Sequence, residues 1–214
     1  MSKYFITIAG NIGVGKSTLT ELLAKKLGWE PFYEAVEENP YLADFYSDMP
    51  RWCFQSQAFF LSRRLKQHHR LLQNTGSVIQ DRSVYEDSEI FAKNLYQQGH
   101  MVDRDWQTYC DLYNTLALML KPPNLVVYLK ASVPTLVRRI SLRGRSFEQT
   151  ISSEYMEQLN ELYDEWISKF ILCPILTVET DNLDYVLHDE HLELINQRIQ
   201  NRLHGKESLE LEEK

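Results

Sequence analysis

The sequence predicts an α/β fold: one parallel sheet of five strands with helices on both faces. Three observations carry this reading. Apolar runs alternate with segments of helical period along the 214 residues, the order that gives parallel strands joined by crossover helices. The first run, Tyr4 to Ala9, passes through the Gly-rich stretch GNIGVGKS at 10–17 into a segment of good helix formers ending at Gly28, which is the entry to a βα unit. No internal repeat or low-complexity linker divides the chain, so one domain over 1–203 is expected, with a charged, frayed tail at 204–214.

The elements follow in order. Strands are expected at 4–9, 31–34, 77–81, 124–130 and 174–180. A long helix is expected over about 51–74, stopping near Asn74-Thr75-Gly76, with Phe54, Ala58, Leu61, Leu65 and Leu72 as its apolar stripe. A second long helix, near 103–121, is broken by Pro122-Pro123 ahead of the fourth strand. Ser132 is a suitable N-cap for a helix over 133–142, with Pro134 in its first turn.

Bulk properties exclude several classes. The net charge of −7 argues against nucleic acid as a partner. No apolar run approaches the ~20 residues needed to cross a bilayer, so no membrane partner is expected. The start, MSKYFITIAG, lacks the long apolar region and cleavage site of a signal peptide. Cys53, Cys110 and Cys173 form no CxxC pair, which predicts reduced thiols in a cytoplasmic protein.

The stretch 10–17 has the form GxxxxGKS. Its glycines, Gly10, Gly13 and Gly15, let main-chain N–H groups of Asn11, Ile12 and Val14 turn inward around phosphates, and the helix start at Lys16, Ser17 and Thr18 adds partial positive charge. Lys16 would reach the β/γ-phosphates and Ser17 would offer its hydroxyl to Mg²⁺, which predicts ATP as ligand with Mg²⁺ as cofactor.

Such a loop occurs in GTPases, motors and small-molecule kinases. The NKxD pattern by which GTPases read their base is absent, and no DxxG follows the third strand. Gln80-Asp81-Arg82-Ser83 stands there instead. Asp81 then lies at the carboxyl end of a strand, where open α/β sheets bind ligands. It can hold Mg²⁺ through water, and Arg82 can neutralise charge on a phosphoryl group in transit. Glu34, closing the second expected strand, would face the same crevice as a general base; Glu37 and Glu38 compete for that role but sit where the chain turns toward a helix at Pro40. The basic segment from Arg138 to Arg145 places Arg139 and Arg143 on one helix face, with Arg145 beyond Gly144; it reads as a lid, about 139–149, over a triphosphate. Gln57 and Arg64 point within about 20° of each other on the long helix, with Phe60 one turn from each. That face could read a nucleobase, though taken alone it reads as an ordinary helix edge.

Together the motifs GNIGVGKS, the Glu34 segment, PRWCFQSQ, DRSVYED and RRISLRGRSFEQ resemble the deoxyribonucleoside kinases, from about Lys3 to about Asp181. The resemblance implies a three-layer P-loop kinase fold and transfer of the γ-phosphate of ATP to the 5′-hydroxyl of a deoxynucleoside in nucleotide salvage. It makes Glu34 the catalytic base, although Ala35 stands where the family usually has proline, and it gives DRS, Asp81-Arg82-Ser83, where the family often has ERS. It places Gln57 on the base, with Arg64 and Asp87 as the accompanying pair, and Phe91 stacking on the base. Tyr46 and Glu148 fall on the sugar 3′-hydroxyl. Arg139, Arg143 and Arg145 fall on the ATP phosphates. VEENPYL is similar to the purine-preferring bacterial members, so deoxyadenosine or deoxyguanosine is favoured, with deoxycytidine admitted. The family is dimeric, which implies a homodimer packed through the helices near 51–74 and 103–121.

Two other classes compete. A thymidylate-like nucleoside monophosphate kinase also joins a phosphate loop to a DR motif, but its ionised acceptor has little need of a base such as Glu34. A non-catalytic nucleotide-binding subunit would be expected to have lost Lys16, Asp81 or the base, and all are present.

Overall fold

In the computed structural model, residues 3–33, 39–145 and 151–205 are described. Strands β1 (Phe5–Gly10), β2 (Glu30–Phe32), β3 (Val78–Asp81), β4 (Leu125–Lys130) and β5 (Ile175–Glu179) form one sheet in the order β2-β3-β1-β4-β5. All neighbours are parallel, and Ile8 stands opposite both Asp81 and Val127. The chain leaves β1 toward one edge and leaves β3 toward the other. The crevice beyond the carboxyl ends of these two strands is therefore the topological switch point, where ligands of such sheets bind.

Helices cover both faces: α1 (Lys16–Leu27), α2 (Leu42–Ser47), α3 (Met49–Gln73), α4 (Val84–Glu86), α5 (Lys93–Gln97), α6 (Asp103–Ala117), α7 (Val133–Arg143), α8 (Ser153–Lys169) and α9 (Asp189–His204). A π-helical turn, Asp87–Ala92, joins α4 to α5. On one face Ile6, Ile8, Val127 and Leu129 pack against Leu19 and Leu23 of α1, Leu136 and Ile140 of α7, and Ile195 and Ile199 of α9. On the other, Ala9, Val126 and Tyr128 meet Leu61 of α3, Tyr109 of α6, and Leu159 and Tyr163 of α8. The FITIAG run of β1 is wholly buried because helices cover both its sides. Each fully buried aliphatic side chain contributes about 1.5–3 kcal/mol.

Several boundaries differ from expectation for local reasons. β2 ends at Phe32, and the Tyr33 carbonyl accepts from the Gln67 side chain at 2.6 Å instead of extending the ladder; the expected end, residue 34, lies outside the described residues. α3 begins two residues early, where Asp48 accepts from the Arg51 N–H at 3.3 Å and Pro50 sits in the first turn. Its buried stripe is Cys53, Ser56, Gln57, Leu61, Arg64, His68 and Leu71, sharing only Leu61 with the apolar stripe read from sequence; Leu72 is exposed. The helix is rolled so that polar groups with internal roles face inward, while Phe54 and Leu65 pack at the edge of the core. α6 stops at Ala117, where the Met119 and Leu120 N–H groups tighten onto Leu116 and Ala117. α9 runs through His204 with Leu203 against the core, so the helix outlasts the expected domain end at 203; residues 206–214 lie outside the described residues. Ser132 holds the N-cap position of α7, but its hydroxyl and N–H both go to Asp181 (3.0 and 2.9 Å), whose carboxylate serves that helix end.

No helix among the described residues is long and apolar enough to cross a membrane. Cys53, Cys110 and Cys173 are free. On the surface, Glu165 of α8 lies between Lys169 (2.7 Å) and Lys93 of α5 (2.9 Å). The Lys169 and Lys93 ammonium groups hold its carboxyl down to about 2 from an ordinary 4.5. A carboxyl lowered on folding stabilises fully above its unfolded pKa, and that stabilisation is lost as pH falls through the folded value. The Tm difference between wild type and Glu165→Gln should therefore hold steady above about pH 5 and close between about pH 4.5 and 2, as thermal unfolding at stepped pH will show.

Candidate active site

The phosphate loop joins β1 to α1, and its shape depends on three glycines at positive φ, Gly10, Gly13 and Gly15. Gly10 has φ +143, and a Cβ there would lie 2.5 Å from the Leu129 carbonyl oxygen. Gly15, φ +105, caps α1 in the left-handed region, and a Cβ would collide with the Tyr185 hydroxyl. That hydroxyl donates to the Gly15 carbonyl at 3.1 Å; burial pushes it up to about 12, so it stays protonated. Asn11 fixes the loop from the other side. Its Oδ1 accepts from the Ile12 N–H (2.7 Å), and its Nδ2 donates to the Met156 carbonyl (3.0 Å) and to Asn160 Oδ1 (2.8 Å) on α8. Lys16 is buried and its Nζ donates to the Asn11 carbonyl at 2.9 Å, so the ammonium lies across the loop it serves. Val14 is fully buried in the core, Ile12 packs at its edge, and Thr18 opens the exposed side of α1 beside Ser17.

β3 brings the second part of the site alongside. Ser17 Oγ donates to Asp81 Oδ2 at 2.5 Å. The other oxygen, Asp81 Oδ1, is buried and has no hydrogen-bond partner among the described residues, an expensive state for a carboxylate oxygen unless a ligand belongs there. Arg82 follows with φ +65, the one non-glycine among the described residues in the left-handed region. Its N–H is held by the Ile8 carbonyl at 3.0 Å. Its guanidinium lies over the Phe91 ring, 4.3 Å from the centroid, and donates to the Tyr163 hydroxyl at 2.9 Å.

α3 and the π-helical turn supply the third part. Arg64 donates from Nε to Asp87 Oδ2 (3.1 Å) and from Nη2 to Oδ1 (3.5 Å), with both side chains buried. Its Nη1 donates to the Asp81 carbonyl at 3.2 Å, which ties the pair to β3. The Gln57 side chain is 5% exposed, and its amide meets no partner among the described residues. Phe60, partly buried, packs edge-on against Phe59, and Tyr46 packs edge-on against Phe45 of α2. Glu34, with its competitors Glu37 and Glu38, and Glu148 lie outside the described residues.

The arginines expected to form a lid separate in kind. Arg139 donates to the carbonyls of Val14 (3.0 Å), Thr180 (2.7 Å) and Leu183 (3.3 Å), and so couples the phosphate loop to the segment after β5. Arg143 ends α7 on the exposed side, and Arg145 follows the left-handed Gly144 cap. Two residues that sequence reasoning passed over also converge on the site. Glu86 is fully buried, and it accepts from the Tyr163 hydroxyl at 2.8 Å. Glu86 had a signal in the sequence, the capping box Ser83-x-x-Glu86; Tyr163 had none beyond helical spacing.

A phosphate loop after the first strand of a β2-β3-β1-β4-β5 parallel sheet, with Asp-Arg at the end of the third, defines a P-loop kinase. The family model for deoxynucleoside kinase matches residues 6–204, and the chain belongs to that family. It is similar to the deoxyadenosine/deoxycytidine kinase of Bacillus subtilis (strain 168), 38% identical with 94% of each chain covered. It is 36% identical to the deoxyguanosine kinase of the same organism, over 89% of this chain and 93% of that one. Among solved structures it resembles deoxyadenosine kinase from M. mycoides with the products dCMP and a flexible dCDP bound (TM-score 0.82, 36% identity, 92% of this chain and 99% of that chain). The chain is thus a phosphotransferase whose acceptor is a deoxynucleoside hydroxyl.

Proposed function

We propose that the chain moves the γ-phosphoryl group of ATP to the 5′-hydroxyl of a purine deoxynucleoside, with deoxycytidine also accepted. The observation that carries this is the juxtaposition of Lys16, Ser17, Asp81 and Arg82 at the switch point, with a buried Asp81 oxygen left without a partner among the described residues. Main-chain N–H groups of Gly13 and Gly15 and the α1 N-terminus receive the phosphates, and Lys16 takes up charge on the β/γ oxygens. Arg143 and Arg145 close over the phosphates; Arg139 braces the loop through the Val14 carbonyl. Ser17 and Asp81 offer hard oxygen donors, a set that fits Mg²⁺ with its preference for few protein ligands plus phosphates. When bound, Mg²⁺ supplies charge neutralisation on the transferred group. Glu34 removes the 5′-hydroxyl proton, and Arg82 steadies the attacking oxygen and the phosphoryl in flight.

On the acceptor side, Gln57 reads the base edge, the Arg64–Asp87 pair sets which base fits, and Phe60 and Phe91 stack on it. Tyr46 and Glu148 hold the 3′-hydroxyl. The partly buried apolar groups along α3 and exposed Leu112 of α6 support a homodimer through those helices, and three free thiols support a cytoplasmic setting.

The test offers each of four deoxynucleosides, and the matching monophosphates, beside labelled ATP. Nucleosides should be labelled faster, with deoxyadenosine or deoxyguanosine first. Faster labelling of monophosphates would favour the thymidylate-kinase-like alternative. The base reading has its own test. Arg64→Met combined with Asp87→Ala avoids stranding one buried charge, which would cost about 3–5 kcal/mol. The double variant should raise the pyrimidine-to-purine ratio of kcat/KM by ~10-fold, the scale of losing one charged hydrogen-bonded contact. Unchanged ratios would place base reading elsewhere.

A further inference from the structure

Glu86 is a carboxylate with no place in the reaction described above, yet its side chain is fully buried in the middle of the site. Its Oε1 accepts from the Gly10 N–H, the first residue of the phosphate loop, at 3.2 Å, and from the Tyr163 hydroxyl at 2.8 Å. Its Oε2 accepts from the Ser83 N–H at 2.7 Å and the Ser83 hydroxyl at 3.1 Å. Arg82 Nη1 stands 3.7 Å from Oε1 and donates to the same Tyr163 oxygen at 2.9 Å. A capping box needs the Ser83 contacts alone; the contacts to Gly10, Tyr163 and Arg82 go beyond it.

We infer that Glu86, acting with Tyr163, is the positioning residue that aims Arg82 and ties its direction to the entrance of the phosphate loop. Arg82 has a left-handed backbone and a guanidinium confined by the Phe91 ring on one side, with Tyr163 and Glu86 also held against it. A cation fixed before the reaction stabilises developing charge without reorganising. One carboxylate touching both Gly10 and the Arg82 network makes donor loop and transfer arginine a single rigid unit, so that neither can shift alone. The Tyr163 ring stacks on Tyr128 (5.7 Å) and meets Trp166 edge-on (6.3 Å), which fixes where its hydroxyl can be.

This inference rests on the reading of Arg82 as the group that steadies the phosphoryl, so three variants are compared. Glu86→Gln keeps the size and an acceptor oxygen but removes the charge. Tyr163→Phe keeps the ring packing and removes the bridging hydroxyl. Arg82→Lys keeps charge and loses the fixed fork. Each is taken through circular dichroism, thermal unfolding, and steady-state kinetics in both substrates. Glu86→Gln and Tyr163→Phe should lower kcat by ~10- to 100-fold with each KM within about threefold, because an interaction used in the transition state has been misaligned. Combined with Arg82→Lys, either should add little further loss, since all act through one guanidinium.

A folded Glu86→Gln enzyme with kcat within about twofold of wild type overturns the inference, as does a fully additive double variant. If Glu86→Gln does not fold, Tyr163→Phe decides by the same criterion. Normal kcat in Arg82→Lys would sink the reading of Arg82 itself, a result distinct from a crippled Arg82→Lys beside a normal Glu86→Gln.

Discussion

Replacing Glu34 with glutamine will lower kcat by ~10²- to 10⁴-fold while leaving nucleoside KM within a few-fold, because only proton removal in the transition state is lost. The amide keeps the size and one acceptor oxygen, so the acceptor still binds. The backbone just before residue 34 is anchored: Gln67 donates to the Tyr33 carbonyl at 2.6 Å and accepts from Gln80 at 3.0 Å and Arg64 at 3.4 Å. The segment leading to the proposed base is therefore tied to α3 and β3, the elements carrying Arg64 and Asp81. Steady-state kinetics with saturating ATP checks this, and near-normal kcat in the variant would move the base to Glu37, Glu38 or water.

Asp81→Asn is the second large effect expected. The substitution keeps an acceptor for the Ser17 hydroxyl but turns the unpartnered Oδ1 position into an uncharged or donor group. Hard divalent cations prefer anionic oxygen, so kcat/KM for ATP should fall by ~10²- to 10³-fold, the scale of losing one preorganised electrostatic contact. The loss should be greatest at low Mg²⁺ and shrink as Mg²⁺ is raised. The measurement is a rate profile against Mg²⁺ at fixed ATP. An unchanged profile would mean that Asp81 serves the fold alone, through its pairing with Ser17.

Much of this was legible in the sequence, for identifiable reasons. The phosphate loop depends on glycine backbone freedom and on one lysine, and both are local, so residues 10–17 announced themselves. The apolar runs of β1 and β4 are nearly continuous because those strands are covered on two sides, so sheet class followed directly. The orientation of α3 was harder. Periodicity weights apolar side chains, whereas Gln57, Arg64 and His68 face inward and Leu72 does not. Arg64 is buried because Asp87 and the Asp81 carbonyl receive it, partners far away in sequence. Likewise, a glutamine on another element claims the Tyr33 carbonyl just after β2. Glu86 carried a local capping pattern, but its second role comes from Gly10 and Tyr163, which only the fold brings near.

α3 is a continuous rod of 25 residues, about 37 Å long at 1.5 Å per residue. Its inward face carries Gln57 and Arg64, whereas the loop, Asp81 and Arg82 hang from the sheet. Under the proposed roles, selectivity and bond-making sit on different structural members. A swapped side chain on the rod could retune which nucleoside is admitted while the transfer apparatus stays in register, an arrangement suited to producing paralogues with divided tastes from one ancestral frame.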